Sequence, residues 1–464
     1  MGPLAEILEY LKADENAALD RWFALLRIPS VGAQPAHAAD CRQTAELLCR
    51  ELTELGFAAA VRETSGQPVV LGHHAGPGGN APQVLYYGHY DVQPAEPLAL
   101  WSSPPFEPRR VEHPLGPRVV ARGAVDDKGQ VRLWLEAMRA WIAVHGSLPV
   151  AATVLIEGEE EVGSPSLDAF LEANRDALAA DIAVIGDTNM WDRATPALTT
   201  RLRGIVYTEL RLRAAARDLH SGLFGGSARN PLNLLGRILG GLHDADGRIL
   251  IPGFYDGVAE PTEAERQSWA SLGFDEGAFL GEVGLAEPAG ERGRPPLERL
   301  WARPTADVNG VWGGYAGPGA KTVIPAEAGA KVSFRLVPGQ DPASIVAAYK
   351  AYVQALVPSD VTAEVEVFGA APGLAMAEGS LWLRAAQAAL AAEFGRPAVL
   401  AGSGGSIPVV ESLRRLLGID SLLMGFGLDD DQIHSPNEKF DLHCFHAGAR
   451  AHARLLGELH RLVR

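Results

Sequence analysis

Residues 84–91 read VLYYGHYD: an apolar run, Val84–Tyr87, ends at Gly88 and gives way to a histidine and an aspartate. A short apolar run closed by glycine has the length of a buried strand rather than a helix. The same texture returns at Ala152–Ile156 and Ile182–Ile185, while Lys128–Val144 and Pro165–Leu178 have helical length and composition. Strands alternating with helices imply an α/β sheet covered by helices on its faces. Ligands of such sheets gather at the carboxyl ends of the strands. The acids and histidines just beyond these runs are therefore the residues to weigh.

Upstream, Glu15–Leu26 and Asp40–Leu55 read as amphipathic helices, with Leu19, Trp22, Phe23 and Leu26 at helical spacing. Downstream of Arg203 the texture changes. Tyr207–Arg213 and Ala330–Leu336 alternate like half-exposed strands, and each is followed by a helical stretch, Pro231–Leu242 and Pro342–Leu356. This pattern fits a β-α-β-β-α-β, ferredoxin-like α+β domain. Its halves are separated by a loop-rich stretch, His243–Pro304, dense in Gly, Pro and Glu. The first texture resumes with helix Leu381–Phe394, strand Val399–Leu400 and a final helix to Arg464. The simplest partition is a first α/β domain, residues 1–201 and 375–464, with a second domain, 202–374, inserted into it.

Composition narrows the function. The 464-residue chain is 47% hydrophobic and 21% charged, which suits a globular protein with a substantial core. A formal net charge of −16 and the lack of a long basic run argue against nucleic acid or an anionic membrane as partner. Cys41, Cys49 and Cys444 are few, odd in number and without CxxC spacing, so they suggest reduced thiols rather than a disulfide framework or a thiolate zinc site. The first thirty residues lack the basic start and apolar core of a secretory signal. Gly2 is not followed by a myristoylation pattern, since Glu6 stands where Ser or Thr is wanted. No apolar stretch approaches the roughly 18 residues of a membrane span. Cytoplasmic location is the expectation.

Five segments concentrate metal-type ligands. His89 and Asp91 follow the first strand and can project the same way, although a structural His–Asp pair would look alike. Asp126-Asp127 opens a helix, where acids also complement the macrodipole. Glu159-Glu160-Glu161 follows the buried strand Ala152–Ile156 and ends in Gly163-Ser164 before a helix, so it occupies a sheet-end loop, although a solvated charge run is the usual reading of consecutive acids. Asp187 lies just past Ile182–Ile185, where a turn or cap aspartate is the plain reading. His434 is one of 13 histidines. Together they supply two imidazoles and several carboxylates, the N/O set that suits paired zinc, manganese or cobalt.

At this point a resemblance enters. The strings GHYDVQP (88–94), ARGAVDDKG (121–129), EGEEEVGS (157–164), DLHSGLFGG (218–226), GAKTVIPA (319–326), FRLVP (334–338), GGSIP (404–408) and HSPNEKF (434–440) occur in this order. They resemble the co-catalytic zinc metallopeptidases, a family of carnosinase-like dipeptidases, glutamate carboxypeptidases, desuccinylases and aminoacylases. The resemblance implies an α/β/α catalytic domain with a central mixed sheet, and an inserted lid and dimerisation domain. It implies two divalent ions per subunit, Zn2+ first, with Mn2+ or Co2+ as alternatives. His89 and Asp187 would bind one ion, Glu161 and His434 the other, and Asp126 would bridge both. Glu160 would be the general base and Asp91 would orient His89. Val162-Gly163-Ser164 sets the register of the three glutamates. His220 would reach a partner subunit's site to stabilise the oxyanion. Arg335 would grip a substrate carboxylate, with Gly405 and Ser406 in an anion-binding loop.

Such a pair of ions braces the attacking and leaving groups and brings a bridging hydroxide within reach of neutral pH, with a free carboxylate to move the proton. Within the family, Asp187 is the shorter acid of the peptidase branch. Residues 246–256, DGRILIPGFYD, resemble the larger lid of carnosinase-like dipeptidases. Asn309 departs from the histidine of some of those members. The expectation is hydrolysis of dipeptides or short peptides by a homodimer. Deacylation of N-acyl amino acids, or desuccinylation, on the same site is the alternative.

Overall fold

The computed structural model describes residues 3–377 and 379–462. Gly2 and the last residues of the expected final helix, Val463 and Arg464, lie outside them. The chain clusters into two compact units, one of residues 1–200, 376–401 and 408–464, the other of 201–375 and 402–407.

The first unit is built on a mixed sheet. In spatial order its strands are Ala58–Arg62, Val69–His74, Ala151–Glu157, Gln83–His89, Ile182–Ile185 and Ser421–Leu423, followed by the strand that begins at Ala197. Strand Gln83–His89 runs parallel to both its neighbours, Ala151–Glu157 and Ile182–Ile185. Its interior is buried on both faces, and it carries the near-continuous apolar run such a position requires.

Helix Lys128–His145 is buried over most of its circumference. It ends at Gly146, whose φ of 74° is the left-handed cap that glycine adopts without strain. Its Trp141 Nε1 donates to Ala453 O of the final helix, Leu442–His460, at 2.9 Å. Trp22, on helix Glu15–Leu26, stacks on Phe445 with centroids 4.4 Å apart and meets Phe440 edge-on. Fully burying each such large apolar side chain contributes roughly 1.5–3 kcal/mol. Lys128 Nζ donates to Leu25 O and Ile28 O, tying the end of that helix to the start of Lys128–His145.

The second unit holds a four-stranded antiparallel sheet in the order Thr305–Gly313, Glu327–Leu336, Gly204–Arg213, Thr362–Ala371. Helices Pro231–Gly240 and Pro342–Leu356 complete a β-α-β-β-α-β order, with the strands arranged as in ferredoxin-like folds. Val206, Leu210, Val332 and Phe334 turn to one face and form a core with Ile238 and Tyr349 of the helices. Asn230 and Asp341 cap the two helices, and each is followed by a proline at the first turn.

Two differences from the sequence expectation have local causes. The helix expected over Pro165–Leu178 is only Leu167–Ala173. There Asn174 Nδ2 donates to Phe170 O, the kind of side-chain competition that ends helices. The loop-rich stretch after His243 contains helices Glu263–Ser271, Glu276–Gly281 and Pro296–Trp301. They are too short for periodicity to reveal, although Thr262 and Glu265 form a complete capping box. Among the described residues no helix is long and apolar enough to cross a membrane.

Candidate metal centre

The site is assembled where parallel strands end together. His89 is the last residue of its strand and pairs with Glu157, the last residue of the neighbouring one. Asp187 lies two residues beyond Ile185 on the other side. Glu160 and Glu161 occupy a short 3-10 turn after Glu157, and Asp126 precedes helix Lys128–His145. His434 sits on a loop with a left-handed φ of 61°.

These residues form two groups that share Asp126. His89, Asp126 and Asp187 bring ligand atoms within 4.8 Å of one another, as do Asp126, Glu161 and His434. The shared carboxylate divides its oxygens: Oδ1 lies 3.2 Å from His89 Nε2, and Oδ2 lies 3.0 Å from His434 Nε2. His434 Nε2 is also 3.1 Å from Glu161 Oε2. The His89 side chain is 0% exposed and that of His434 53%, so the second group is the one open to solvent.

Neighbouring groups hold the ligands in place. His89 Nδ1 approaches Asp91 O at 3.1 Å, with Asp91 Oδ1 at 3.4 Å. The Asp91 carboxylate accepts the backbone N–H groups of Glu160 at 3.2 Å and Glu161 at 3.1 Å. It therefore positions the glutamate turn as well as facing the imidazole. Gln93 Nε2 donates to Glu161 Oε2 at 2.7 Å, and Asp127 Oδ2 accepts the His89 N–H at 3.1 Å.

One positioning residue escaped the sequence reading. Buried Glu438 accepts Arg122 Nη1 at 2.8 Å and the backbone N–H groups of Gly123, Val125 and Asp126 at 2.9, 2.9 and 3.1 Å. The loop that presents Asp126 is wrapped around this carboxylate. Its sole signal in sequence is its place in the string HSPNEKF, four residues past His434.

The electrostatics follow from so many acids in one buried place. Burial and the Asp126 charge push Asp187 up to about 7. Burial also raises Glu160, with the charges of Glu161, Asp126 and Asp91 acting the same way and His89 opposing them. Hydrogen bonds to Asp126 and Glu161 push His434 up to about 10. Burial opposes ionisation of Asp126, yet the imidazoles of His434 and His89 beside it hold it well below the carboxylate range.

The donor set fits divalent metal. His89 Nε2 is buried and has no hydrogen-bond partner. It points at a carboxylate cluster whose mutual repulsion bound cations would relieve. Imidazole nitrogens and carboxylate oxygens in two groups sharing one acid suit a dinuclear site.

His220, Arg335, Gly405 and Ser406 belong to the second unit. His220 is exposed, and its Nδ1 accepts the Gly222 N–H at 3.0 Å, which leaves the ring proton on Nε2. Arg335 lies on strand Glu327–Leu336. The Gly405 N–H, expected to be available to an anion, donates to Ser403 Oγ at 3.1 Å.

Residues 85–458 match the family model for Peptidase family M20/M25/M40. The chain is 32% identical to the Cys-Gly metallodipeptidase dug1 of Schizosaccharomyces pombe, over 98% of each chain. It is 29% identical to the Beta-Ala-His dipeptidase of Rattus norvegicus, covering 99% of this chain and 96% of that one. The solved structure of the family's metallo-carboxypeptidase Sso-CP2 from Sulfolobus solfataricus superposes with a TM-score of 0.82 at 30% identity, over 96% of this chain and 99% of that one.

Proposed function

The chain belongs to peptidase family M20/M25/M40, and from that premise we propose that it hydrolyses the peptide bond of dipeptides or short peptides. The observation that carries this reading is the pair of three-ligand groups sharing Asp126, with Glu160 beside them, in a chain that aligns nearly end to end with two dipeptidases.

His89, Asp126 and Asp187 would hold one divalent ion, and Asp126, Glu161 and His434 a second, Zn2+ being favoured over Mn2+ or Co2+ by the imidazole–carboxylate set. Such ions supply Lewis acidity that polarises a carbonyl and eases ionisation of water near neutral pH. Glu160 accepts the proton of the attacking water and returns it to the leaving amine, the two halves of general acid–base catalysis. Asp91 keeps Glu160 and Glu161 in register through their backbone N–H groups. His220 offers its Nε2–H to the oxyanion of a neighbouring subunit's site, which makes the working form a homodimer. In this reading the second unit serves as lid and dimerisation domain, with the inserted segment at residues 202–374. Arg335 binds the substrate's carboxylate bidentately, and Ser406 lies in the loop that completes its anion site. The three cysteines are free thiols, which suits a cytoplasmic protein.

The test is a panel of dipeptides beside the matching N-acyl amino acids, after loading with zinc or manganese and with a chelator control. Chelator-sensitive cleavage of free dipeptides is the expected result. Preference for the acylated substrates would move the enzyme to deacylation or desuccinylation on the same site.

A further inference from the structure

Asp187 occupies the middle of a three-residue turn, closed by the Thr188 N–H donating to Gly186 O at 2.7 Å. The turn follows strand Ile182–Ile185. The parallel strand beside it, Ser421–Leu423, leads into Gly425 and Phe426 at the same end of the sheet. The two loops close on each other. The Gly425 N–H donates to Thr188 Oγ1 at 2.8 Å, and a Cβ on Gly425 would collide with the carbonyl oxygens of Gly186 and Thr188.

Gln130 joins both loops to a third element. It lies in the first turn of helix Lys128–His145, four residues after Asp126, and is 3% exposed. Its Nε2 donates to Thr188 O at 3.2 Å, and its Oε1 accepts the Phe426 N–H at 3.1 Å. Gly186 leaves room for it, since a Cβ there would lie 3.1 Å from the Gln130 Cβ. A primary amide donates and accepts at once without bringing charge into a buried place. The helix start that follows Asp126 thus also grips the turn that presents Asp187. Those two carboxylates, with His89, make up the first group of ligands. Like charges brought together away from water repel, so their separation depends on what braces the turn.

We propose that Gln130 is a positioning residue of the metal centre: through the Thr188 carbonyl it fixes Asp187 against Asp126, and so sets how tightly the first group holds its ion. Glu161, in the second group, is held by a different amide, that of Gln93. The proposal rests on the two-ion reading and adds to it that the two ions are secured separately. Partners that orient metal ligands typically contribute about 10–100-fold in metal affinity.

The test titrates metal-free protein with zinc against a chromophoric chelator. It uses wild type, Gln130→Met, Asp187→Ala, His434→Ala, and the two double variants that add Gln130→Met to each of the last two. Wild type should take up two ions. Gln130→Met keeps the length of the side chain but neither hydrogen bond, and should weaken one ion by about 10–100-fold while sparing the other. The same loss should appear in His434→Ala, where the first group is intact, and vanish in Asp187→Ala, where it is already broken. Activity that Gln130→Met loses at limiting zinc should return with excess zinc, which a fold defect would not allow. Thr188→Val removes the hydroxyl that Gly425 holds, and should weaken the same ion even where Gln130→Met fails to fold. Both ions held at wild-type strength in Gln130→Met, or both weakened equally, would overturn the proposal and leave the two-ion reading standing. A single ion in wild type, weakened alike by Asp187→Ala and Gln130→Met, would overturn the two-ion reading and retain the brace. Wild type that takes up no zinc would overturn both.

Discussion

Glu438 and Asp126 stand 312 residues apart in the chain, yet Glu438 Oε1 accepts the Asp126 backbone N–H at 3.1 Å. The same carboxylate holds Arg122, Gly123 and Val125. Glu438→Ala therefore leaves a buried guanidinium without its partner, a change that costs about 3–5 kcal/mol. It should also lower metal content without removing a ligand. Urea unfolding and metal analysis of the purified variant check both, and unchanged stability with full metal content would remove Glu438 from its positioning role.

Asp126→Ala should release more than one ion per subunit, because Oδ1 faces His89 and Oδ2 faces His434. Elemental analysis after dialysis provides the number. Retention of two ions would refute sharing.

Glu160→Gln should keep both ions and lose about 10²–10⁴-fold or more in kcat, the range for removal of a general acid–base group. Full activity in a metal-replete variant would transfer that role elsewhere.

His220→Ala should be inactive alone and partly rescued on mixing with Glu160→Gln, whose subunits retain His220. Mixing that never restores activity would confine His220 to its own chain.

Stability should carry the signature of Glu51. Burial opposes its ionisation, but Arg132 and Arg139 win and hold its carboxyl at about 2. Folding thus depresses its pKa from an unfolded value of about 4.3, so its contribution is complete above that value and is lost as pH falls toward 2. Glu51→Gln should be about 3 kcal/mol less stable than wild type at pH 7, a gap that closes as pH falls through this window. Urea titrations across pH 2–7 test it, and a gap independent of pH would reject the ion-pair origin.

Much of this architecture is legible in sequence where burial is two-sided or strictly periodic. Ile182–Ile185 coincides with its strand, and Leu381–Phe394 with its helix, because apolar length and helical composition decide them locally. Three residues of the candidate site, His89, Glu161 and Asp187, stand within a few positions of an apolar run and so at strand ends, whereas Asp126 before a helix and His434 on a loop carry no such local signal. Glu438 is not legible in this way: its significance lies in what it touches 312 to 316 residues away, and a glutamate on its own has an ordinary solvated reading. The short helices after His243 fail for another reason: six to nine residues give periodicity too little length to register.

The discontinuous first unit also sets an order of events during synthesis. Asp126 leaves the ribosome long before Glu438 and His434 are translated, on the order of tens of seconds at about 5–20 residues per second. During that interval the residues of the intervening ferredoxin-like sheet are made, while one of the three residues of the second group, His434, and the carboxylate that shapes the Asp126 loop are still missing. Assembly of the group that includes His434 is thereby deferred until about 300 residues after Asp126 have been made.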